Sequence, residues 1–192
     1  MSAAWSARLP GTRVLIEAVR ATAHEHAGLV HDWMNRPHVV PWWQLNYSLD
    51  GIGRYLDELT HLTPWIVSAD GVACGYVETY QVSDDPLAEA YDTGPGDAGW
   101  HVAVGPVDML GTGVPRLLAR AVLAYLLTEA PRAVCEPDVG NARMLAFCRR
   151  LGLVHLGDVE LPDKRAALLA CTREAFDARW PGDRAAIRHI IR

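Results

Sequence analysis

The strongest constraint on the fold lies between Trp100 and Glu129. There a short apolar strand, "WHVAVGP", leads through a glycine loop, Gly111-Thr112-Gly113, into a helix-patterned stretch. Leu117, Leu118, Ala121, Val122, Tyr125 and Leu126 recur at helical spacing and form one apolar stripe along Val114–Glu129. A helix start leaves N–H groups without intrahelical partners at the positive end of the dipole. Glycines before it let the backbone approach an oxyanion. Alone, the loop reads as a tight turn or as an anion seat. It lacks the Lys-Ser/Thr pair of a triphosphate-binding loop, and Arg116 stands where a dinucleotide fingerprint has its third glycine. Pro115 removes one N–H from the first helical turn.

The remaining chain alternates between the two periodicities. Thr12–Val19 reads as a first strand, "ATAHEHAGLVHDWMN" as a helix, and Leu49–Leu62 as a second helix with Ile52, Tyr55, Leu56 and Leu59 on one face. Pro64–Ser68 and Ala73–Val82 flank Asp70-Gly71, a hairpin signal. "RAVCEPD" is a strand, and Asn141–Leu151 a helix capped by Asn141 and ended by Gly152. Leu153–Leu161 and Arg165–Thr172 form a last antiparallel pair, and Arg173–Arg192 reads as a helical tail broken at Pro181-Gly182. This order predicts an α/β (α+β) domain spanning 1–192, with a core over about 12–176 and a tail at 177–192. Its sheet is mixed and mostly antiparallel, with helices on both faces.

Composition narrows the function. A net charge of −5 argues against general attraction to nucleic acid or anionic lipid. No apolar run is long enough for a membrane span, and the first residues carry no secretory pattern. Cys74, Cys135, Cys148 and Cys171 lie in apolar stretches without CxxC spacing, as buried thiols of a cytoplasmic protein would. With no HExxH motif, and with His24 and His26 on different helical faces, no metal site is expected.

The strand, glycine loop, helix and strand, followed by "NARMLAFCRRLGL", resemble the GNAT-type N-acyltransferases. "GWHVAVGP", "EPDVGN" and "ELPDKRAALL" resemble the subgroup of siderophore biosynthesis that acylates the side-chain nitrogen of lysine or N-hydroxylysine. "HDWMNRPHVVPWW" and "GYVETYQV" are similar to that subgroup and to the aminoglycoside N-acetyltransferases. The resemblance implies acyl-coenzyme A as co-substrate, a small-molecule amine as acceptor, and a monomer or homodimer. It implies that Gly111, Thr112, Gly113, Val114 and Arg116, with Arg120 nearby, serve the pyrophosphate. The backbone of Val102, Ala103 and Val104 would pair with pantetheine, and Asn141 would open the next helix of the coenzyme site. The sequence departs from the family at Leu110 and Pro115 of the loop. It departs again at Cys148, where many members carry a tyrosine that protonates the leaving thiolate.

Acyl transfer needs a neutral amine, a polarised carbonyl and two reactants held together. His101 precedes the loop on its strand and is the candidate base. Asp138 is its candidate partner or the contact for the acceptor ammonium, with Glu136 the alternative carboxylate. Trp42 and Trp43 offer apolar faces for an aliphatic stem or acyl chain. Glu78 and Tyr80 share a strand face, and Lys164 sits in the "PDKRAA" turn; these three are candidate acceptor contacts. Rival readings are an aminoglycoside N-acetyltransferase and a non-catalytic acyl-coenzyme A binding module.

Overall fold

Asp70 and Gly71 both take positive φ, 48° and 78°, as a two-residue hairpin turn requires. They join β3 (Leu62–Ala69) to β4 (Val72–Gln81), the longest strand pair of the molecule. In this computed structural model, which describes residues 4–190, that hairpin lies near the centre of a nine-stranded sheet. The other strands are β1 (Ala4–Ala7), β2 (Ile16–Arg20), β5 (Ala98–Val104), β6 (Arg132–Cys135), β7 (Val154–Glu160), β8 (Arg165–Thr172) and β9 (Ile187–Ile190). The spatial order is β7-β8-β6-β5-β4-β3-β2-β1-β9, and β5–β6 is its parallel neighbour pair.

Both faces are covered. Trp65 and Val67 of β3 pack with α4 (Val114–Glu129), α5 (Ala142–Leu151) and α6 (Arg173–Arg179). Ile66, between them, joins the opposite core under α1 (Ala23–Met34) and α3 (Leu49–Glu58). The alternation follows from side chains pointing to opposite faces of a strand. The helices start where local chemistry supplies an acceptor: Thr22, Ser48, Asn141 and Thr172 each accept a bond from an N–H of the first turn. Gly152, at φ 104°, ends α5. A four-residue helix, α2 (Val40–Trp43), carries the paired tryptophans.

Both chain ends differ from the sequence expectation. The first strand is β1 rather than Thr12–Val19, and β2 starts only at Ile16. The expected helical tail is α6, a turn, and then β9, which pairs with β1. Trp5, Leu9 and Ile187 join the hydrophobic core beneath α4. These strands are short and find their partners across the whole chain, so local periodicity does not reveal them. Arg120 is also placed differently from expectation. It is buried in a two-bond pair with Asp183, at 2.9 and 2.8 Å, under the Trp180 ring, and serves the fold rather than the glycine loop.

Candidate active site

The parallel pair β5–β6 holds together over only two residue pairs, Ala98↔Ala133 and Gly99↔Val134. Beyond Gly99 the strands part, while β5 stays zipped to β4 as far as Val104. Trp42, Trp43, Glu78, Trp100, His101, Glu136, Asp138, Asn141 and Lys164 are among the residues lining a cleft of ≈ 240 Å³ at this gap.

His101 sits between two carboxylates. Its Nε2 lies 2.6 Å from Glu136 Oε1 and its Nδ1 3.2 Å from Glu78 Oε2. Both acids are almost wholly buried. Glu78 is held further by the hydroxyls of Tyr55 and Tyr76, both donating to Oε1. Glu136 accepts from Tyr80 at 2.9 Å and faces Lys164 Nζ at 3.5 Å. Tyr80 reaches it because residue 99 is glycine: a Cβ there would lie 2.0 Å from the Tyr80 ring.

Burial alone would lower the pKa of His101, but the charge of Glu136, the bond to it, and then Glu78 push it up to about 10. Burial would likewise raise Glu136, yet His101 and Lys164 bring it down to about 2. Both shifts favour the charged pair, an imidazolium against a carboxylate. Acting as a base would require His101 to give up a proton that both acids help to hold. Asp138 is not its partner: Asp138 Oδ1 accepts the Gly140 N–H at 2.6 Å, and its carboxylate opens onto the cleft. The alternative carboxylate, Glu136, takes that place. Glu78 lines the cleft while bonded to His101, and Tyr80 bonds Glu136. The proton on His101 and the roles of Tyr55 and Tyr76 had no sequence signal beyond the helical face that includes Tyr55.

Trp42 is 42% exposed at the cleft mouth. Trp43 and His101 form a T-shaped pair, with ring centroids 6.0 Å apart, and Trp43 donates from Nε1 to Val102 O at 3.3 Å. His38 Nε2 lies 2.9 Å from Val104 O. Gly105 N–H bonds back to Cys74 on the β4 side, so strand alternation turns Val102 and Val104 toward the gap and Ala103 away from it. The gap-facing carbonyls already have partners, and the N–H groups of Val102 and Val104 are the ones left to meet an extended ligand. Asn141 caps α5 through Oδ1, bonded to Met144 N at 3.1 Å.

The glycine loop is exposed, with Gly111 at φ 79° and Gly113 as the N-cap of α4. Thr112 Oγ1 donates to Met109 O and accepts from Val114 N at 3.2 Å, so Val114's donor is spent inside the loop. Gly113 and Arg116, either side of the donor lost at Pro115, present the start of α4 to solvent. An exposed helix start following an open strand edge fits a ligand with a phosphate end and an extended arm. Cys148 and Cys135 are buried with their sulfurs 3.8 Å apart. Contact with Cys148, then burial, holds the Cys135 thiol well above its ordinary value.

The fold and this gapped sheet are those of an acyl-coenzyme A-dependent transferase, and the chain belongs to the acetyltransferase (GNAT) domain family, whose model matches residues 22–161. It is 34% identical over 154 residues to an N-hydroxyputrescine acetyltransferase of Acinetobacter baumannii, covering 77% of this chain and 73% of that one. It is 31% identical to the lysine N-acyltransferase MbtK of Mycolicibacterium paratuberculosis, over 83% of this chain and 75% of that one. Among solved structures it superposes on an uncharacterized protein of Bacillus halodurans with a TM-score of 0.87 at 28% identity, over 94% and 95% of the two chains. It also superposes on the aminoglycoside acetyltransferase AAC(6')-Ib in complex with coenzyme A, with a TM-score of 0.77 at 27% identity, over 85% and 98%. The protein is thus an N-acyltransferase that takes its acyl group from coenzyme A. Among the described residues no helix is long and apolar enough to cross a membrane.

Proposed function

We propose that the acceptor is an N-hydroxylated, lysine-like amine, such as N-hydroxylysine or an N-hydroxylated diamine, acylated in siderophore biosynthesis. One observation carries this reading: the cleft's histidine is clamped between two buried acids, Glu136 and Glu78, whose charges favour its protonated form. A lysine amine arrives charged and must lose a proton before it attacks, whereas a hydroxylamine nitrogen is neutral near pH 7. A site without a resting imidazole base suits the second. The names of the two curated relatives, one an N-hydroxyputrescine and one a lysine enzyme, support the class.

In this reading Gly111–Gly113 and Arg116 hold the pyrophosphate, and the Val102 and Val104 N–H groups meet the pantetheine arm. The acceptor stem lies against Trp42 and Trp43. Its remaining ammonium faces Asp138 and Asp163, which line the cleft and carry no ion pair among the described residues. Glu78 and Glu136 are already answered by His101 and Lys164. The His101 imidazolium gives the developing oxyanion a nearby positive charge. The coenzyme brings the activated thioester.

Thiol release from acetyl-coenzyme A tests the proposal, with N-hydroxycadaverine and N-hydroxylysine set against cadaverine and lysine. The hydroxylamines are expected to give kcat/KM on the order of 10²-fold higher at pH 7. Equal rates for the plain amines would overturn the choice of acceptor. The aminoglycoside reading draws on the same two carboxylates, but ≈ 240 Å³ lies below the ~300–1,000 Å³ of pockets that enclose drug-sized ligands. Faster turnover of kanamycin than of any hydroxylamine would decide for it.

A further inference from the structure

Of 18 lysines and arginines in the chain, Lys164 alone is a lysine. That single ε-amine is not on the outer surface. It projects from the turn between β7 and β8 into the acyl-transfer cleft, is 19% exposed, and lies 3.5 Å from Glu136 Oε1. Glu136 also holds His101, which lies on β5 just past the point where β5 and β6 part. A primary amine on an aliphatic stem, lining the same cleft as Trp43, His101 and Glu136, matches the proposed acceptor's stem but ends in the unhydroxylated and slower nucleophile, so it reacts only where proximity makes up the difference.

We infer that Lys164 is a self-acylation site: without acceptor, the enzyme transfers the acyl group of its bound thioester to Lys164 Nζ. The step rests on the acceptor reading above for the location of the reacting carbon. It balances as follows. The ammonium loses one proton to solvent and attacks as the amine. The N–C bond forms and the thioester C–S bond breaks. The second nitrogen proton ends on the departing sulfur, giving coenzyme A thiol and a neutral amide. No other reactant is needed. The amide fills the acceptor end of the cleft and removes the cation that faces Glu136, so the modified enzyme is silenced. An acceptor in the cleft excludes Lys164 from the thioester, so modification marks enzyme left with coenzyme but without acceptor.

The single lysine makes the test direct. A lysine-specific protease cuts the unfolded chain once, between Lys164 and Arg165, and an acylated Lys164 blocks that cut. The protein is incubated with acetyl-coenzyme A alone, then unfolded, digested and weighed by mass spectrometry. The expected result is a growing uncut fraction carrying one acetyl group at Lys164. Held in the cleft, Lys164 should label on the order of a hundredfold faster than in the urea-unfolded chain. N-hydroxycadaverine should suppress the label, and Lys164→Arg should abolish it with the fold intact by circular dichroism. Complete cutting after prolonged incubation overturns the inference, as does equal labelling of the folded and unfolded chain. Coenzyme A release with N-hydroxycadaverine, measured in parallel, separates the two proposals. Turnover without label sinks self-acylation alone. Label without turnover of any hydroxylamine sinks the acceptor reading alone. Neither label nor turnover sinks both.

Discussion

Glu136 holds three groups at once: His101 Nε2, the Tyr80 hydroxyl and Lys164 Nζ. Glu136→Gln keeps the shape and removes the charge. It should let His101 titrate well below about 10, visible in an imidazole NMR titration, and lower kcat/KM on the order of 10²-fold. An unchanged His101 titration would show that Glu78 alone sets its charge. The same pair fixes how stability responds to pH. His101's folded value is raised, so its contribution is full below about 6.5 and is lost as pH climbs through about 10. Glu136's is lowered, so its contribution is full above about 4.5 and is lost as pH falls through about 2. Urea unfolding of wild type and His101→Gln across this range should show the wild type losing its margin on the alkaline side. Parallel curves would refute that. The sequence points to His101 but cannot choose its partner, because Glu136 and Asp138 are two residues apart and share one side of an extended chain. The choice is made by the end of β6, where Pro137 intervenes and Asp138 turns to bond Gly140.

Among the elements, α4 was legible in full and its start is where the sequence departs from family pattern. Pro115 suits a first helical turn, yet it withholds an N–H where the coenzyme's charge is expected, and Thr112 has claimed Val114's donor. Pro115→Gly restores one donor and should tighten coenzyme A binding about tenfold by calorimetry. An unchanged Kd would place the anion elsewhere. The β3–β4 hairpin was equally legible, since Asp70-Gly71 specifies its turn chemically. β1 and β9 were not. Each has four residues, and their register, Trp5↔His189 among its pairs, joins opposite ends of the chain. Such a pairing is decided by the assembled edge of β2, which no local window contains.

At the scale of the molecule, the C-terminal segment is tied to α4 by a buried ion pair, Arg120 with Asp183. Asp183→Ala leaves a guanidinium buried without its partner and should cost about 3–5 kcal/mol in denaturant unfolding. A loss within experimental scatter would mean that the Trp180 ring alone accommodates Arg120. The sheet itself is a seam sewn at one end. Six strands from β9 to β5 form one panel, three from β6 to β7 the other, and two residue pairs stitch them. Such a seam gives up backbone bonds that a continuous sheet would keep, and in the proposed binding mode the pantetheine arm restores some of them. Amide exchange at Val102 and Val104 should therefore slow when coenzyme A is added, while β3–β4 stays unchanged. In that binding mode the coenzyme is a removable length of the protein's own sheet, and every turnover would begin by completing the fold and end by undoing it.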